Sequence, residues 1–271
     1  MTGLGPDGRS AVDPDGLMEF SVVFTDRSLN HMSKKFQAVM RDISDIAREV
    51  YGAEGVAIVP GGGTYAMESV ARQFARDADA LIVRNGWFSF RWTQIHDAAN
   101  FDSDAEVQPA RPEGNQPRPS YAPPPIEDVV AEIARTRPGV VFAPHVETSA
   151  GLILPDDYIA TLAQAVHEVG GLMVLDCIAS GAVWADMKAL GVDVLISAPQ
   201  KGWSASPAAG LVMFSARALE RLEKTTSDSF ALDLKKWRAI MKAYEDGGHA
   251  YHATMPTDAL VVLRDAMLET R

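Results

Sequence analysis

Six short apolar runs, separated by helical stretches, constrain the fold of this sequence more than any other feature. They are GVAIV (55–59), ALIV (80–83), GVVFAP (139–144), GLMVLD (171–176), VDVLIS (192–197) and GLVMFS (210–215). Runs that are apolar on both faces are typical of strands covered by helices on each side of a sheet. We therefore expect an α/β fold with a mixed, mostly parallel sheet of about seven strands. GLVMFS follows the preceding run too closely for a parallel crossover, so it is predicted to be antiparallel.

The remaining sequence divides the chain into three parts. Residues 1–30 are polar and rich in Gly, Pro and Asp, which predicts an arm; residues 31–254 form the large domain. A helix is predicted after the candidate N-cap Ser33, with Gly52 just past its end. Residues 255–271 predict the start of another helix, and its apolar stripe consists of Leu260, Leu263 and Met267, with Val262 and Ala266 beside them.

The segment 102–125 interrupts the alternation of apolar runs and helical stretches, because it holds seven of the chain's 16 prolines and few large apolar residues. We predict a long surface loop here, which either lies over a site or is a passive insertion.

Charge and cysteine content restrict the class of protein. Lys and Arg number 25 and Asp and Glu number 36, which gives a net charge of −11. A field of this sign repels phosphate backbones and anionic lipids, so we expect neither nucleic acid nor membrane partners. A single cysteine, Cys177, forms no internal disulfide and fits a reducing compartment. Without a long apolar run or a signal-peptide stretch, the sequence predicts a soluble cytoplasmic protein.

The glycines Gly61, Gly62 and Gly63 precede Thr64 between a predicted strand and a predicted helix. Glycines there allow a tight turn, and the start of a helix offers free N–H donors to a phosphate. Gly61, Gly63 and Ala66 also match the dinucleotide pattern G-x-G-x-x-A, and Arg84 could meet a nucleotide 2′-phosphate. A structural turn with no ligand is the third alternative.

Three further residues follow predicted strands, at the sheet edge where ligands of α/β proteins bind. Asp176 could meet a cationic ring nitrogen or simply cap a helix; a metal site is disfavoured because no His or Cys lies nearby at ligand spacing. Lys201, one strand later, is expected to be buried, which would lower its pKa and make the amine a nucleophile. Phe88 could stack on a flat ring or pack in the core.

A phosphate cradle, a stacking aromatic, a carboxylate and a lysine together describe the binding of pyridoxal 5′-phosphate (PLP), whereas an NADP site explains only the first of them. Five segments also resemble the class V aminotransferases of the fold-type-I PLP enzymes, nearest the alanine–glyoxylate and serine–pyruvate group. They are PGGGTYAME (60–68), NGWFSFR (85–91), HVETSAG (145–151), LDCIASGAVWADM (175–187) with SAPQKG (197–202), and YHATMP (251–256).

The resemblance implies a role for each matching residue. Lys201 is expected to form the internal aldimine with PLP, Asp176 to pair with the pyridinium nitrogen, and Phe88 to stack on the ring. The implied phosphate contacts are Gly62, Gly63, Thr64 and Gln200. Ser149 matches the contact to the ring hydroxyl, and Tyr251 and Thr254 match groups that reach the partner's site in a homodimer. His145 is interpreted as structural.

The implied reaction is amino transfer from a small amino acid, alanine or serine, to glyoxylate or another 2-oxo acid. The alternatives are another PLP lyase, such as a desulfurase, and a non-catalytic, dimerising PLP-binding fragment. A desulfurase needs a mobile thiol, whereas Cys177 is expected to be buried.

In the family a C-terminal small domain carries the arginine that binds the substrate carboxylate, and no residue here matches it. We therefore expect the chain to hold PLP but to transaminate poorly, unless Arg27 or Arg118 replaces that arginine. Part of the apolar stripe of the last helix is expected to face water or another chain.

Overall fold

A computed structural model describes residues 29–270, so nearly all of the predicted arm, including Arg27, lies outside the described residues. The helices are α1 (Lys34–Tyr51), α2 (Gly63–Phe74), α3 (Trp87–Ala99), α4 (Ile126–Thr136), α5 (Asp156–Glu168), α6 (Met187–Leu190), α7 (Ala216–Lys224), α8 (Leu234–Glu245) and α9 (Thr257–Thr270). The strands are β1 (Gly55–Pro60), β2 (Ala80–Arg84), β3 (Ala105–Pro109), β4 (Arg111–Glu113), β5 (Ser120–Ala122), β6 (Val140–Pro144), β7 (Val146–Glu147), β8 (Leu152–Ile153), β9 (Leu172–Asp176), β10 (Val194–Ser197) and β11 (Ala209–Phe214).

A seven-stranded sheet with the order β1-β11-β10-β9-β6-β2-β3 forms the centre of the molecule. The pairs from β10 to β3 are parallel, and β11 is antiparallel to both of its neighbours. The predicted α/β class and the antiparallel GLVMFS strand are therefore confirmed. Strands β1, β2, β6, β9 and β10 end at one edge of the sheet, and the loops that follow them build the candidate site there.

Local signals in the sequence determine helix α1. The Phe36 N–H donates to Ser33 Oγ at 3.1 Å, and Gly52 takes the left-handed backbone (φ 68°) that ends the helix. Both predicted caps are confirmed. No helix within residues 29–270 has both the length and the apolar character needed to cross a membrane.

Helix α9 packs its apolar stripe against α1. Leu260, Leu263 and Met267 are buried within this chain, whereas Val262 beside them has 50% of its surface exposed, so part of the predicted stripe faces out of the chain as expected. Leu268 is the other large apolar residue of α9 that is exposed. The stripe meets a partner 200 residues earlier in the chain, which helical spacing alone does not reveal.

The proline-rich segment 102–125 is not one long loop. Its first part is β3, which pairs in parallel with β2 and supplies the seventh strand of the sheet, and β4 and β5 form a small hairpin. β3 is an edge strand that ends at Pro109, where the missing N–H of proline removes no hydrogen bond between strands of the sheet. Its side chains are only partly buried, so it lacks the continuous apolar pattern of the central strands.

Candidate active site

A cleft of about 160 Å³ lies at the edge of the sheet where the parallel strands end. Six of the predicted site residues line it, namely Gly63, Thr64, Phe88, Asp176, Gln200 and Lys201. They come from α2, α3, the end of β9 and the loop after β10, so four separate segments converge on one cleft. This convergence is what the sequence argument required of a single ligand site.

One wall of the cleft is the first turn of α2. Gly62 is the N-cap and has no side chain to satisfy the first N–H groups of the helix, which have no acceptor within the helix. A Cβ at Gly63 would lie 2.6 Å from Ile178 Cδ1, so the glycine lets the start of the helix pack against the Ile178 side chain in the loop after β9 without displacing it. The turn therefore presents backbone donors and the positive end of a helix dipole to an anion.

Asp176, the last residue of β9, is a buried carboxylate with 6% of its surface exposed. Its Oδ1 accepts the Ile178 N–H at 3.0 Å. Burial raises the pKa of Asp176 from its ordinary 3.8 to about 6; the Glu147 charge raises it further, while the Ile178 hydrogen bond and the Arg91 charge lower it. A cation placed beside this carboxylate would recover the free energy that burial costs it.

Lys201 lies in the tight turn that follows β10, where its N–H donates to the Ala198 carbonyl at 3.3 Å. A Cβ at the next residue, Gly202, would lie 2.0 Å from the Gly181 carbonyl oxygen, so the lysine turn packs closely on the loop after β9. The side chain of Lys201 lines the cleft but is exposed, and the expected burial of this amine is wrong. The turn places the lysine at the open rim of the cleft.

Phe88 and Arg91 lie one helical turn apart on α3 and both line the cleft. The Arg91 guanidinium donates to Thr64 Oγ1 at 2.8 Å and lies 5.9 Å from the centre of the Phe88 ring. Arg91 was not among the predicted site residues, although its i+3 spacing from Phe88 indicates that both side chains share one face of the helix. Arg91 thus adds a positive charge beside the phosphate-cradle candidate.

Ser149 does not line the cleft. Its hydroxyl donates to Glu147 Oε1 at 2.6 Å and accepts the Trp87 N–H at 2.8 Å, which ties it to the start of α3. Thr148, the preceding residue, lines the cleft instead.

Two residues near the cleft are buried within the fold. His145 is buried, and its Nδ1 lies 2.7 Å from Ser180 Oγ; burial lowers its pKa. Cys177 is buried as expected, and burial raises the pKa of its thiol. Neither side chain lines the cleft.

The other sequence-predicted residues do not line this cleft. Gly62 precedes the lining residue Gly63, whereas Tyr251 and Thr254 are exposed and lie 3.4 Å apart, hydroxyl to hydroxyl. Arg118 is exposed between β4 and β5. Arg84, which the dinucleotide alternative needed, lies 5.2 Å from the Phe90 ring centre.

Comparisons with known proteins agree with this architecture. The family model described as aminotransferase class-V matches residues 19–268. Alanine–glyoxylate aminotransferase from Callithrix jacchus is 27% identical over 245 residues, covering 88% of this chain and 56% of that protein. 2-Aminoethylphosphonate–pyruvate transaminase from Burkholderia mallei is 32% identical over 247 residues, covering 89% of this chain and 60% of that protein.

The solved structure of alanine–glyoxylate aminotransferase from Nostoc sp. superimposes with a TM-score of 0.74 at 28% identity, covering 89% of this chain and 61% of that one. The chain therefore spans roughly three fifths of the length of these relatives. PLP is the cofactor of this group of proteins. The match of the family model over residues 19–268, together with the shared fold, establishes that this chain belongs to the aminotransferase class-V family.

Proposed function

We propose that this chain carries the PLP site of a transaminase that moves an amino group from a small amino acid to a 2-oxo acid. The observation that supports this most strongly is the convergence of Lys201, Asp176, Phe88 and the start of α2 on one cleft. A nucleophilic amine, a carboxylate, an aromatic ring and an anion-binding helix terminus are the groups that PLP needs.

The charges and hydrogen-bonding groups of the cleft residues fit PLP. Asp176 is a buried carboxylate whose pKa is raised to about 6, and a protonated ring nitrogen beside it would supply the missing positive charge. Gln200 Oε1 is buried on the cleft side of the lysine turn and has no hydrogen-bond partner among the described residues. The first turn of α2, Thr64 and Arg91 together favour a phosphate group.

When bound, PLP supplies an electron sink for negative charge at the substrate α-carbon. The residues of this chain would hold and orient it. Asp176 would keep the ring nitrogen protonated, Phe88 would cover one face of the ring, and Thr64 with Arg91 would bind the phosphate. Lys201 would be the covalent anchor, and its amine would also be the base that moves the α-proton of the substrate. Its position at the open rim leaves the amine within reach of an entering substrate.

The donor and acceptor are proposed from the relatives. The relatives named alanine–glyoxylate aminotransferase support alanine as the donor and glyoxylate as the acceptor. Serine as the donor and another 2-oxo acid as the acceptor stay proposals from the sequence resemblance. The relative at 32% identity is a 2-aminoethylphosphonate–pyruvate transaminase, so that pair is the second candidate.

Two alternatives remain as competing proposals. Desulfurase chemistry is disfavoured because the thiol of Cys177 is buried and its pKa is raised, whereas the reaction needs an accessible thiolate. A non-catalytic PLP-binding protein is the other.

We also propose a cytoplasmic homodimer in which residues 31–254 form the PLP-binding domain and residues 255–271 lead out of it. Tyr251 has 64% of its surface exposed and, with Thr254, lies outside the cleft of its own chain. That placement supports a role for both hydroxyls at the phosphate of a partner's site. Sedimentation with and without PLP tests the dimer; a monomer that binds PLP with full affinity contradicts the shared site.

Titration with PLP, followed by absorbance, tests the cofactor site. Wild-type protein is expected to develop the band of a lysine-bound cofactor, and Lys201→Ala is expected to lose it. The matched control is Lys242→Ala, which removes only an exposed pair with Asp246 and is expected to leave the band unchanged. An unchanged band in Lys201→Ala would contradict the assignment.

Activity assays then choose among the reactions. Formation of a 2-oxo acid is measured with alanine plus glyoxylate and with 2-aminoethylphosphonate plus pyruvate. Sulfide or lyase products favour the first alternative, and a PLP-loaded protein that is silent in every assay favours the second.

A further inference from the structure

Glu147 is a buried carboxylate to which the proposed reaction assigns no role. It lies between Val146 and Thr148, which both line the cleft, and its own side chain points to the other side, toward the start of α3. The residue is completely buried, and no Lys, Arg or His of the described chain forms an ion pair with it. Burying a carboxylate without a cationic partner costs free energy of folding, so other interactions of the side chain must offset that cost.

Five hydrogen bonds do so. Oε1 accepts the Phe88 N–H at 3.2 Å, the Ser149 hydroxyl at 2.6 Å and the Ser149 N–H at 3.4 Å. Oε2 accepts the Ser89 N–H at 2.9 Å and the Ser89 hydroxyl at 2.7 Å. Although burial opposes ionisation, these bonds together hold the pKa of Glu147 below its ordinary value. The side chain is therefore an anion that caps the N-terminus of α3.

Gly86 allows this close approach. A Cβ there would lie 2.4 Å from Ser149 Oγ and 2.8 Å from Glu147 Cδ, so any larger residue would push both groups off the helix. The backbone of Phe88 is thus held through its N–H, and its ring lies on the cleft wall with 39% of the residue's surface exposed. The direction in which the ring leaves the helix therefore depends on the position of this first turn of α3.

We infer that Glu147 is a positioning residue that fixes the first turn of α3 and so holds the Phe88 ring where it stacks on the cofactor. The inference rests on the proposed PLP site. It predicts that Glu147 and Phe88 contribute to cofactor binding through the same contact.

Glu147→Gln tests this at nearly constant size. An amide has one acceptor oxygen, and its NH₂ would face donors, so at least one of the two groups of bonds is lost. At a temperature where the protein is folded, the variant is expected to bind PLP about tenfold more weakly, the scale of one aromatic stacking contact. Its PLP-induced circular dichroism is expected to fall. The double variant Glu147→Gln, Phe88→Ala is expected to bind no more weakly than Phe88→Ala alone.

Leu263→Ala is the matched control, because it removes buried contacts between α9 and α1, away from the cleft. It is expected to lower Tm without changing PLP affinity or dichroism. Glu147→Gln with wild-type affinity and dichroism, or with an effect that adds fully to that of Phe88→Ala, would overturn the inference. If Glu147→Gln does not fold, Ser89→Ala is the second variant, because it removes one of the five hydrogen bonds. It is expected to weaken PLP binding about threefold, and unchanged binding would overturn the inference.

Amide hydrogen exchange in the cofactor-free protein separates this inference from the PLP proposal. In Glu147→Gln the amides of Phe88 and Ser89 are expected to exchange about tenfold faster or more, while those in the sheet stay unchanged. Unchanged protection at both amides would overturn the positioning role even if PLP binds. Wild-type protein that does not bind PLP would refute the cofactor site and leave the exchange result to decide the role of Glu147.

Discussion

The burial of Asp176 predicts that the cofactor-free protein is less stable at neutral pH than its function-impaired Asp176→Asn variant. The carboxylate is 6% exposed, and burial is the largest cause of its raised pKa. Asparagine is nearly the same size and keeps the Oδ1 that accepts the Ile178 N–H. The substitution therefore removes the charge with little change in packing.

The magnitude follows from the pKa. A rise from 3.8 to about 6 corresponds to ~3 kcal/mol in the free energy of unfolding, at about 1.36 kcal/mol per pH unit. Because the folded protein holds this proton more tightly than the unfolded chain, protonation favours folding. The stabilisation is complete below about pH 4 and is lost as pH rises through 6. Asp176→Asn resembles the protonated form at every pH.

Urea denaturation of the cofactor-free proteins at pH 4 and at pH 8 measures this difference. At pH 8 we expect Asp176→Asn to be more stable than wild type by up to ~3 kcal/mol, and at pH 4 by close to zero. The same variant is expected to bind PLP more weakly, because it has lost the counter-charge of the ring nitrogen.

Asp77→Asn is the matched control, since Asp77 has 72% of its side chain exposed and its substitution is expected to change stability by less than about 0.5 kcal/mol at either pH. An Asp176→Asn protein that is no more stable than wild type at pH 8 would refute the reasoning, and so would an equal gain at both pH values.

Three further predictions concern packing and charge at named positions. Leu263→Ala is expected to lower the free energy of unfolding by about 2–5 kcal/mol, because Leu263 is buried. Val262→Ala, at an exposed position of α9, is expected to lower it by less than about 0.5 kcal/mol. Equal Tm values for the two variants would contradict the packing of α9 on α1. Gly202→Ala is expected to lose about 1–3 kcal/mol and to weaken PLP binding, because its Cβ would lie 2.0 Å from the Gly181 carbonyl oxygen; urea denaturation and PLP titration check both effects. Arg91→Ala is expected to weaken PLP by roughly tenfold or more while leaving binding of pyridoxal, which lacks the phosphate, nearly unchanged; an equal loss for both compounds would exclude a phosphate contact.

Features written in neighbouring residues could be predicted from the sequence. Serine at a helix start and glycine just past the end define α1, and continuous apolar runs define the buried strands, because these signals act within a few residues. Asp176 ends a strand, and the glycine turn and Lys201 follow strands. Because the ends of parallel strands meet at one edge of the sheet, the convergence of these residues on one cleft could be predicted from the sequence.

The tertiary structure decided the features that depend on distant partners. β3 is a strand because β2 offers it a free edge, although the proline-rich sequence around it predicts a loop. Leu260, Leu263 and Met267 of α9 are buried because α1 lies against them. Glu147 is a functional candidate because the fold places it at the start of α3, and Arg91 is one because the fold places it against Thr64. The exposure of Lys201 is likewise a result of the fold. Tertiary packing determines which side chains are buried and which residues far apart in the chain form hydrogen bonds, so a local sequence pattern does not predict them.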